Sequence, residues 1–404
     1  MKLFLKSILL LLLIFLTVLV MNSNVTLGFS YNNSSKIVNS SNNIWFYDII
    51  DFNPKSSLLP IINTSITLAL IDSGFNQSLD SINGNTFKNI KEIPDNKIDD
   101  DQNGYVDDYY GFDFVLNRSI NPIGLSYTSH STLIAHLLAG INKLNNQIIG
   151  MLPNVSLLNI RILDSNNILS EHNWTIVRDS LRYAIKMKSD IILLSSEFLT
   201  DPPIDVKKAF EDVKDADITL VTIAGNSNTR VSSYPALLGW SITVGAVENS
   251  SNDGNFSHAD YSNVGQAVDI VAPGTDITSY DINGKLISNS GTSFAAPFVA
   301  GTAAWIKIMN NSLNITQIKN IIVNTASSTG DCYSNGAGIL NVTNALLVTQ
   351  GKLPLIENPD VNKTNCSENT LFSNIKIFAY DSFLSPLLIL VFIAINKKFR
   401  KKEK

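Results

Sequence analysis

Cysteine, histidine and charge are all scarce in this chain of 404 residues. Charged residues make up only 16% of it, and 35 acidic against 30 basic side chains leave a formal net charge of −5. No basic stripe interleaved with aromatics runs through the body, so nucleic acid is not an expected partner. The two cysteines, Cys332 and Cys366, stand outside any CxxC pattern, which removes support for zinc-ribbon or thioredoxin-like chemistry. An exported chain could join them in one disulfide that ties a tail to the core; two free thiols are the other reading. His172 and His258 lie in polar stretches without metal-ligand spacing. Polar surface must come largely from asparagine and serine. Asn-x-Ser/Thr triplets recur, as at Asn63, Asn255 and Asn362, and an exported chain would offer them as glycosylation acceptors.

The two ends differ from the middle. Lys2 and Lys6 precede an apolar run from Ile8 to Met21, which predicts an export signal or signal anchor over residues 1–30. No Ala-x-Ala cleavage pattern follows it. Residues 31–44 read as a polar linker. At the far end, residues 351–374 read as a polar stalk. An apolar stretch from Phe383 to Ile395 follows, short against the ~20 residues of a spanning helix. Extending it to residues 375–396 gives the length but takes in Lys376 and Asp381. Residues 397–404 are strongly basic and favour a cytoplasmic C-terminus. The expectation is an exported, single-pass membrane protein whose body faces outward. Residues 45–350 suit one large domain.

Within that body, continuous apolar runs alternate with amphipathic stretches. Ile66–Ile71, Leu157–Leu163, Ile191–Leu194, Ile218–Ile223 and Ile242–Val247 read as strands buried on both faces. Trp174–Lys188 and Ile204–Val213 read as helices between them. The alternation predicts an α/β fold: a mostly parallel central sheet with helices on both faces. Loops at the carboxyl ends of such strands carry the site.

Four segments carry chemistry. ALIDSGF ends a strand at Asp72, where a carboxylate can accept the N–H of a histidine ring. SHSTLIAHLLAG opens a helix at His130, and Ile134, Leu137 and Leu138 at helical spacing would dock that helix on a core. His136 falls roughly on the opposite side and reads as a packing or surface residue. VTIAGNSN ends a strand at Asn226, whose amide can donate to a developing oxyanion. NSGTSFAAPFVAGTAAWI places Ser293 at the start of a small-residue helix, whose free N–H groups and positive end suit an oxyanion. Gly291 allows an unusual dihedral there. Pro297 is tolerable if it falls in the first turn.

These segments, in this order, resemble the subtilisin-like serine proteases, the subtilases, over residues 45 to 350. GTSFAAPFVAG at Gly291–Gly301 is similar to the family's nucleophile motif, ALIDSG to its aspartate motif and AGN at Ala224–Asn226 to its oxyanion motif. GMLPNVSLLNIRILD, SYPALLGWSITVGAV, YSNVGQAVDIVAPGTDI and AGILNVTNA resemble supporting segments. The resemblance implies a serine endopeptidase that acts on proteins or peptides. Its triad would be Asp72, His130 and Ser293, with Asn226 in the oxyanion hole and no cofactor in the chemistry. Substrate would lie against Ser195, Ser196, Glu197, Ala224 and Gly225. Three residues depart from the family pattern: Ser131 where glycine usually follows the histidine, His136 where a small residue is usual, and Glu197 at the likely glycine position of a substrate-pairing strand. The gap before Trp45 is too short for a folding prodomain, so autocatalytic removal of one is not expected. These departures keep a second reading open, a non-catalytic surface binding module on a protease scaffold.

Between Asp72 and His130 lies DNKIDDDQNGYVDDYYGFDF. Asp99, Asp101, Asn103 and Asp107 place oxygens at alternating positions around Gly104, like the first part of an EF-hand loop. Tyr110 stands where that loop's final acidic residue belongs, and Asp108 could substitute. The expectation is a structural calcium ion; a solvated acidic loop is the alternative.

Overall fold

The protein is described here from a computed structural model. It covers residues 45–60, 66–120, 129–142, 147–148, 150–164, 174–249 and 256–358, with residues 166, 169 and 360. The expected signal, the 31–44 linker, the membrane span at 375–396 and the basic tail lie outside these residues. None of the described helices is long and apolar enough to cross a membrane.

The strands are β1 (Thr67–Asp72), β2 (Gly111–Asp113), β3 (Arg118–Ser119), β4 (Ile141–Asn142), β5 (Gln147–Ile148), β6 (Ser156–Arg161), β7 (Ile191–Leu194), β8 (Thr219–Ile223), β9 (Ile242–Asn249), β10 (Phe256–His258), β11 (Ile270–Pro273), β12 (Ile277–Tyr280) and β13 (Leu286–Asn289). The helices are α1 (Trp45–Ile49), α2 (Ser129–Ala139), α3 (Trp174–Lys186), α4 (Ile204–Asp215), α5 (Thr292–Met309), α6 (Ile315–Asn324), α7 (Cys332–Asn335) and α8 (Val342–Thr349). A nine-stranded sheet runs β10-β9-β8-β7-β1-β6-β2-β3, with β11 also on β9. Its inner pairs are parallel, while β10 and β3 join antiparallel at the two ends. This is the expected α/β architecture.

Strand β1 shows why the runs are apolar throughout. Successive side chains point to opposite faces. Leu68 and Leu70 enter one core with Leu137, Phe294, Phe298 and Trp305, from α2 and α5. Ala69 and Ile71 enter a second core with Val177, Leu181, Val206 and Phe210, from α3 and α4. Helices on both faces leave no side of the strand for polar residues. Each fully buried leucine or isoleucine contributes about 1.5–3 kcal/mol by leaving water.

Helix α5 is buried from Thr292 to Ile306 and packs against β7, β8, β9 and β11. Its alanines let it approach the sheet closely, and Gly301 is required: a Cβ there would fall 2.6 Å from Cβ of Met151. Pro297 is not in the first turn as expected but is the sixth helical residue. It therefore removes the N–H that would have bonded the Ser293 carbonyl.

The N-terminal segment closes against the far end of the body. Phe46 and Tyr47 pack on Phe298 with ring centroids 5.5 and 6.0 Å apart. The Ile50 carbonyl accepts the Val342 N–H at 2.8 Å, and the Asp51 carbonyl accepts the Thr343 hydroxyl at 2.6 Å.

The start of the expected stalk belongs to this body as well. Asn358 is buried; its N–H donates to Asn324 Oδ1, and its amide donates to the carbonyls of Ala326 and Ala337. Burying that amide satisfied is what moves the boundary past residue 350. Cys332 is disulfide-bonded, and the chain's other cysteine, Cys366, lies outside the described residues.

Candidate active site

Asp72 is the last residue of β1 and fully buried. One of its oxygens, Oδ1, accepts the Ser73 N–H at 2.6 Å and the Ser73 hydroxyl at 2.9 Å. The same oxygen lies 3.0 Å from Nδ1 of His130. His130 stands in the first turn of α2, a helix with every residue from His130 to Ala139 buried. That packing fixes the backbone that carries the ring. Burial disfavours the imidazolium, but the charge of Asp72 and its hydrogen bond more than offset this, so the pKa of His130 is raised. The ring also packs edge-on against Phe294, with centroids 5.5 Å apart.

Phe294 follows Ser293, which is 6% exposed in the first turn of α5. The turn into that helix runs through Gly291 at φ 154°, a conformation that side chains rarely adopt. Asn226 holds the same turn from the other side. Its Oδ1 accepts the Thr292 N–H at 2.8 Å and the Thr292 hydroxyl at 2.9 Å. A backbone N–H can only donate, so the bonded atom must be the oxygen, and Nδ2 keeps its donors for the open side. Asn226, just past β8, and His130, on α2, thus contact the two residues that flank Ser293, namely Thr292 and Phe294.

The Asn226 turn has a support that sequence reasoning missed. Asn263 donates through Nδ2 to the Ala224 carbonyl and accepts the Ser227 and Thr229 N–H groups. Its N–H also donates to the Gly225 carbonyl. An asparagine in a surface-like segment gives no sequence signal for such a role. Ser195 and Ser196 follow β7, the neighbour of β8, and their hydroxyls are buried without hydrogen-bond partners among the described residues. Glu197 accepts the Asn226 N–H and the Ser233 hydroxyl.

His136, the residue in place of a small one, is core rather than catalytic. Its Nδ1 lies 2.9 Å from the Thr132 carbonyl and its Nε2 2.5 Å from the Ser81 hydroxyl. A carbonyl can only accept, so Nδ1 carries the proton and Nε2 accepts from Ser81. Burial pushes its pKa down to about 4.

The acidic loop is arranged differently from an EF-hand. Asp107 spends both oxygens on the Asn96 and Lys97 N–H groups. Asn103 donates to Asp108, and its N–H is taken by Asp99 and Asp101. The oxygens that do converge are those of Asp99 and Asp101 with Glu92, all within 4.8 Å of one another. Glu92 lies before the patterned stretch, which is why sequence spacing missed it. It is 3% exposed; Oε1 accepts the Asp101 N–H, and Oε2 is buried with no hydrogen-bond partner among the described residues. Burial chiefly, with the charges of Asp108, Asp101 and Asp100, raises its pKa. A hard cation would answer both the orphaned oxygen and the crowded charge.

Comparison with known proteins assigns the class. Residues 63–351 match the Subtilase family, and the chain belongs to it. As a member of that family it is a serine endopeptidase. It is 32% identical over 238 residues to Subtilisin DY of Bacillus licheniformis, across 57% of this chain and 81% of that one. It is also 32% identical to Subtilisin NAT of Bacillus subtilis subsp. natto over 219 residues, which is 53% of this chain and 55% of that one. Among solved structures, a cold-adapted subtilisin-like serine proteinase superposes with a TM-score of 0.57 at 25% identity, covering 74% of this chain and 97% of that one. Fervidolysin of Fervidobacterium pennivorans superposes with a TM-score of 0.61 at 21% identity, over 77% of this chain and 46% of that one, and shares the fold.

Proposed function

We propose that the chain hydrolyses peptide bonds through an acyl-enzyme built on Asp72, His130 and Ser293, at the outer surface of a cell. The observation that carries the chemistry is the bond from His130 Nδ1 to Asp72 Oδ1 at 3.0 Å. It favours the tautomer in which Nδ1 carries the proton and Nε2 has the lone pair that accepts one. Ser293 attacks the carbonyl of the scissile bond as His130 removes its proton. The tetrahedral oxyanion accepts hydrogen bonds from Asn226 Nδ2 and the Ser293 N–H. His130 then returns the proton to the leaving amine, the C–N bond breaks, and water releases the acyl group by the same route. Surface display is supported by the charged, apolar N-terminus and by the apolar C-terminal stretch before its basic tail.

One experiment addresses both parts. A membrane-impermeant fluorophosphonate added to intact cells is expected to label Ser293, in a chain that sediments with membranes. A folded chain that takes no label would sink the catalytic reading. Label appearing only after lysis would sink the surface reading.

The acidic loop is proposed to hold a structural calcium ion on Glu92, Asp99 and Asp101. Calcium at 100 times its Kd would stabilise the fold by about 2.7 kcal/mol. For a domain of this size that raises Tm by about 4 °C over chelated protein. Glu92→Gln should abolish most of the difference. Identical melting curves with calcium and with chelator would rule the ion out.

A further inference from the structure

Glu197 presents a carboxylate where the segment after β7 meets the turn after β8. It accepts the N–H of Asn226, the residue whose side chain faces the oxyanion, and the hydroxyl of Ser233 at 2.9 Å. The two segments close on it tightly. A Cβ at Gly225, which has φ +100°, would fall 2.4 Å from Glu197 Oε2. The residue at 225 must therefore be glycine for the carboxylate to occupy this position.

The charge has no local answer. Among the described residues no lysine, arginine or histidine pairs with Glu197, and its bonds come from two neutral donors. Lys207, whose ammonium rests over the Tyr234 ring beside Ser233, pairs with Asp201 at 2.7 Å instead. Burial accordingly raises the Glu197 pKa, against the two hydrogen bonds that lower it. A partly buried anion without a cation costs free energy that packing does not return. Such a group beside a reaction centre is accounted for when the substrate brings the opposite charge.

The bound substrate fixes which of its residues that is. Its scissile carbonyl carbon lies at Ser293 and the carbonyl oxygen at Asn226 Nδ2. The residue supplying that carbonyl is thus held against Asn226, whose own backbone N–H touches Glu197. A long side chain on that residue, extending past Asn226, would carry its end toward Glu197.

We infer that Glu197 selects substrates in which the residue supplying the scissile carbonyl is lysine or arginine. This rests on the proposed Ser293 chemistry. An aliphatic or aromatic side chain at that position would desolvate the carboxylate and leave it unpaired. The position of Glu197 thus makes the specificity a charge preference rather than one of size.

The test uses the full-length chain and internally quenched peptides that differ only at that position: arginine, lysine, leucine or glycine. The expected result is a kcat/KM for arginine and lysine at least about tenfold above that for leucine, with Glu197→Gln reducing the ratio to near one. A ratio is unaffected by partial misfolding, because the fraction of active enzyme cancels. If Glu197→Gln does not fold, the wild-type ratio decides alone. Equal or better cleavage of the leucine or glycine peptide by the wild type overturns the assignment, as does a charge preference that survives in Glu197→Gln. Fluorophosphonate labelling of Ser293 run in parallel separates the two failures. A labelled serine without charge preference removes only Glu197, whereas an unlabelled serine with no cleavage removes the protease chemistry beneath it.

Discussion

Replacing Ser293 with alanine is expected to lower kcat on an unfolded protein by about 10⁶-fold while leaving the fold intact. The size of the loss follows from the triad acting as a unit. Without the hydroxyl, neither His130 nor Asp72 has a nucleophile to activate, and only the oxyanion donors still favour the transition state. Stability should be nearly unchanged, because the turn that carries Ser293 is held by other atoms. Asn226 grips Thr292, and Gly291 supplies the dihedral. Melting temperature and turnover, measured together, check both halves. A variant within tenfold of wild-type activity would mean that another group attacks the carbonyl.

Replacing Asp72 with asparagine is expected to cost about 10⁴ in kcat, with a shift in the pH profile that identifies the cause. In the native protein, burial disfavours the His130 imidazolium and Asp72 overcomes that penalty. The acidic limb of kcat/KM, below which the base is protonated, is therefore expected at higher pH than an unperturbed histidine would give. Asparagine removes the charge and keeps the burial, so the limb should move to lower pH as the plateau falls. The same coupling governs stability. Because the folded pKa of His130 is raised, its contribution is fully present below the unfolded value of about 6.5. It is lost as pH rises through the folded value. An Asp72→Asn variant whose limb stays in place would show that Asp72 does not set the basicity of His130.

The sequence made the central strands legible for one reason: both faces of β1, β7 and β8 are covered, so their runs are largely apolar. The polar edge strands β3 and β10 have no such signature. The β12–β13 hairpin was signalled by Asn283-Gly284 at its turn, a pattern the apolar-run criterion passes over. Asp72, His130, Asn226 and Ser293 could be read because each falls within a distinctive local string. Asp72 ends β1, His130 and Ser293 lie in the first turns of helices, and Asn226 falls in the turn after β8 rather than at the strand's end as expected. Glu92 and Asn263 could not, because they act across gaps in sequence. Glu92 meets Asp101 through a bend, and Asn263 reaches Ala224 at a separation of 39 residues. Asp107 was misplaced because alternating spacing says nothing about which backbone N–H groups reach a carboxylate first. Pro297 was misplaced because helix starts are set by caps, here Gly291, rather than by the proline.

The clasp between the two ends of the body also sets a clock on biosynthesis. The Asp51 carbonyl waits for the Thr343 hydroxyl, 292 residues away. At ribosomal rates of about 5–20 residues per second, that interval is roughly 15–60 s. For most of that interval, until residues 292–309 have been made, the aromatic face of α1 has no α5 helix to cover it. With the triad proposed above, a nascent chain would lack its nucleophile until residue 293 has been made. The order of synthesis alone would then hold back cleavage by that triad until most of the body has been made.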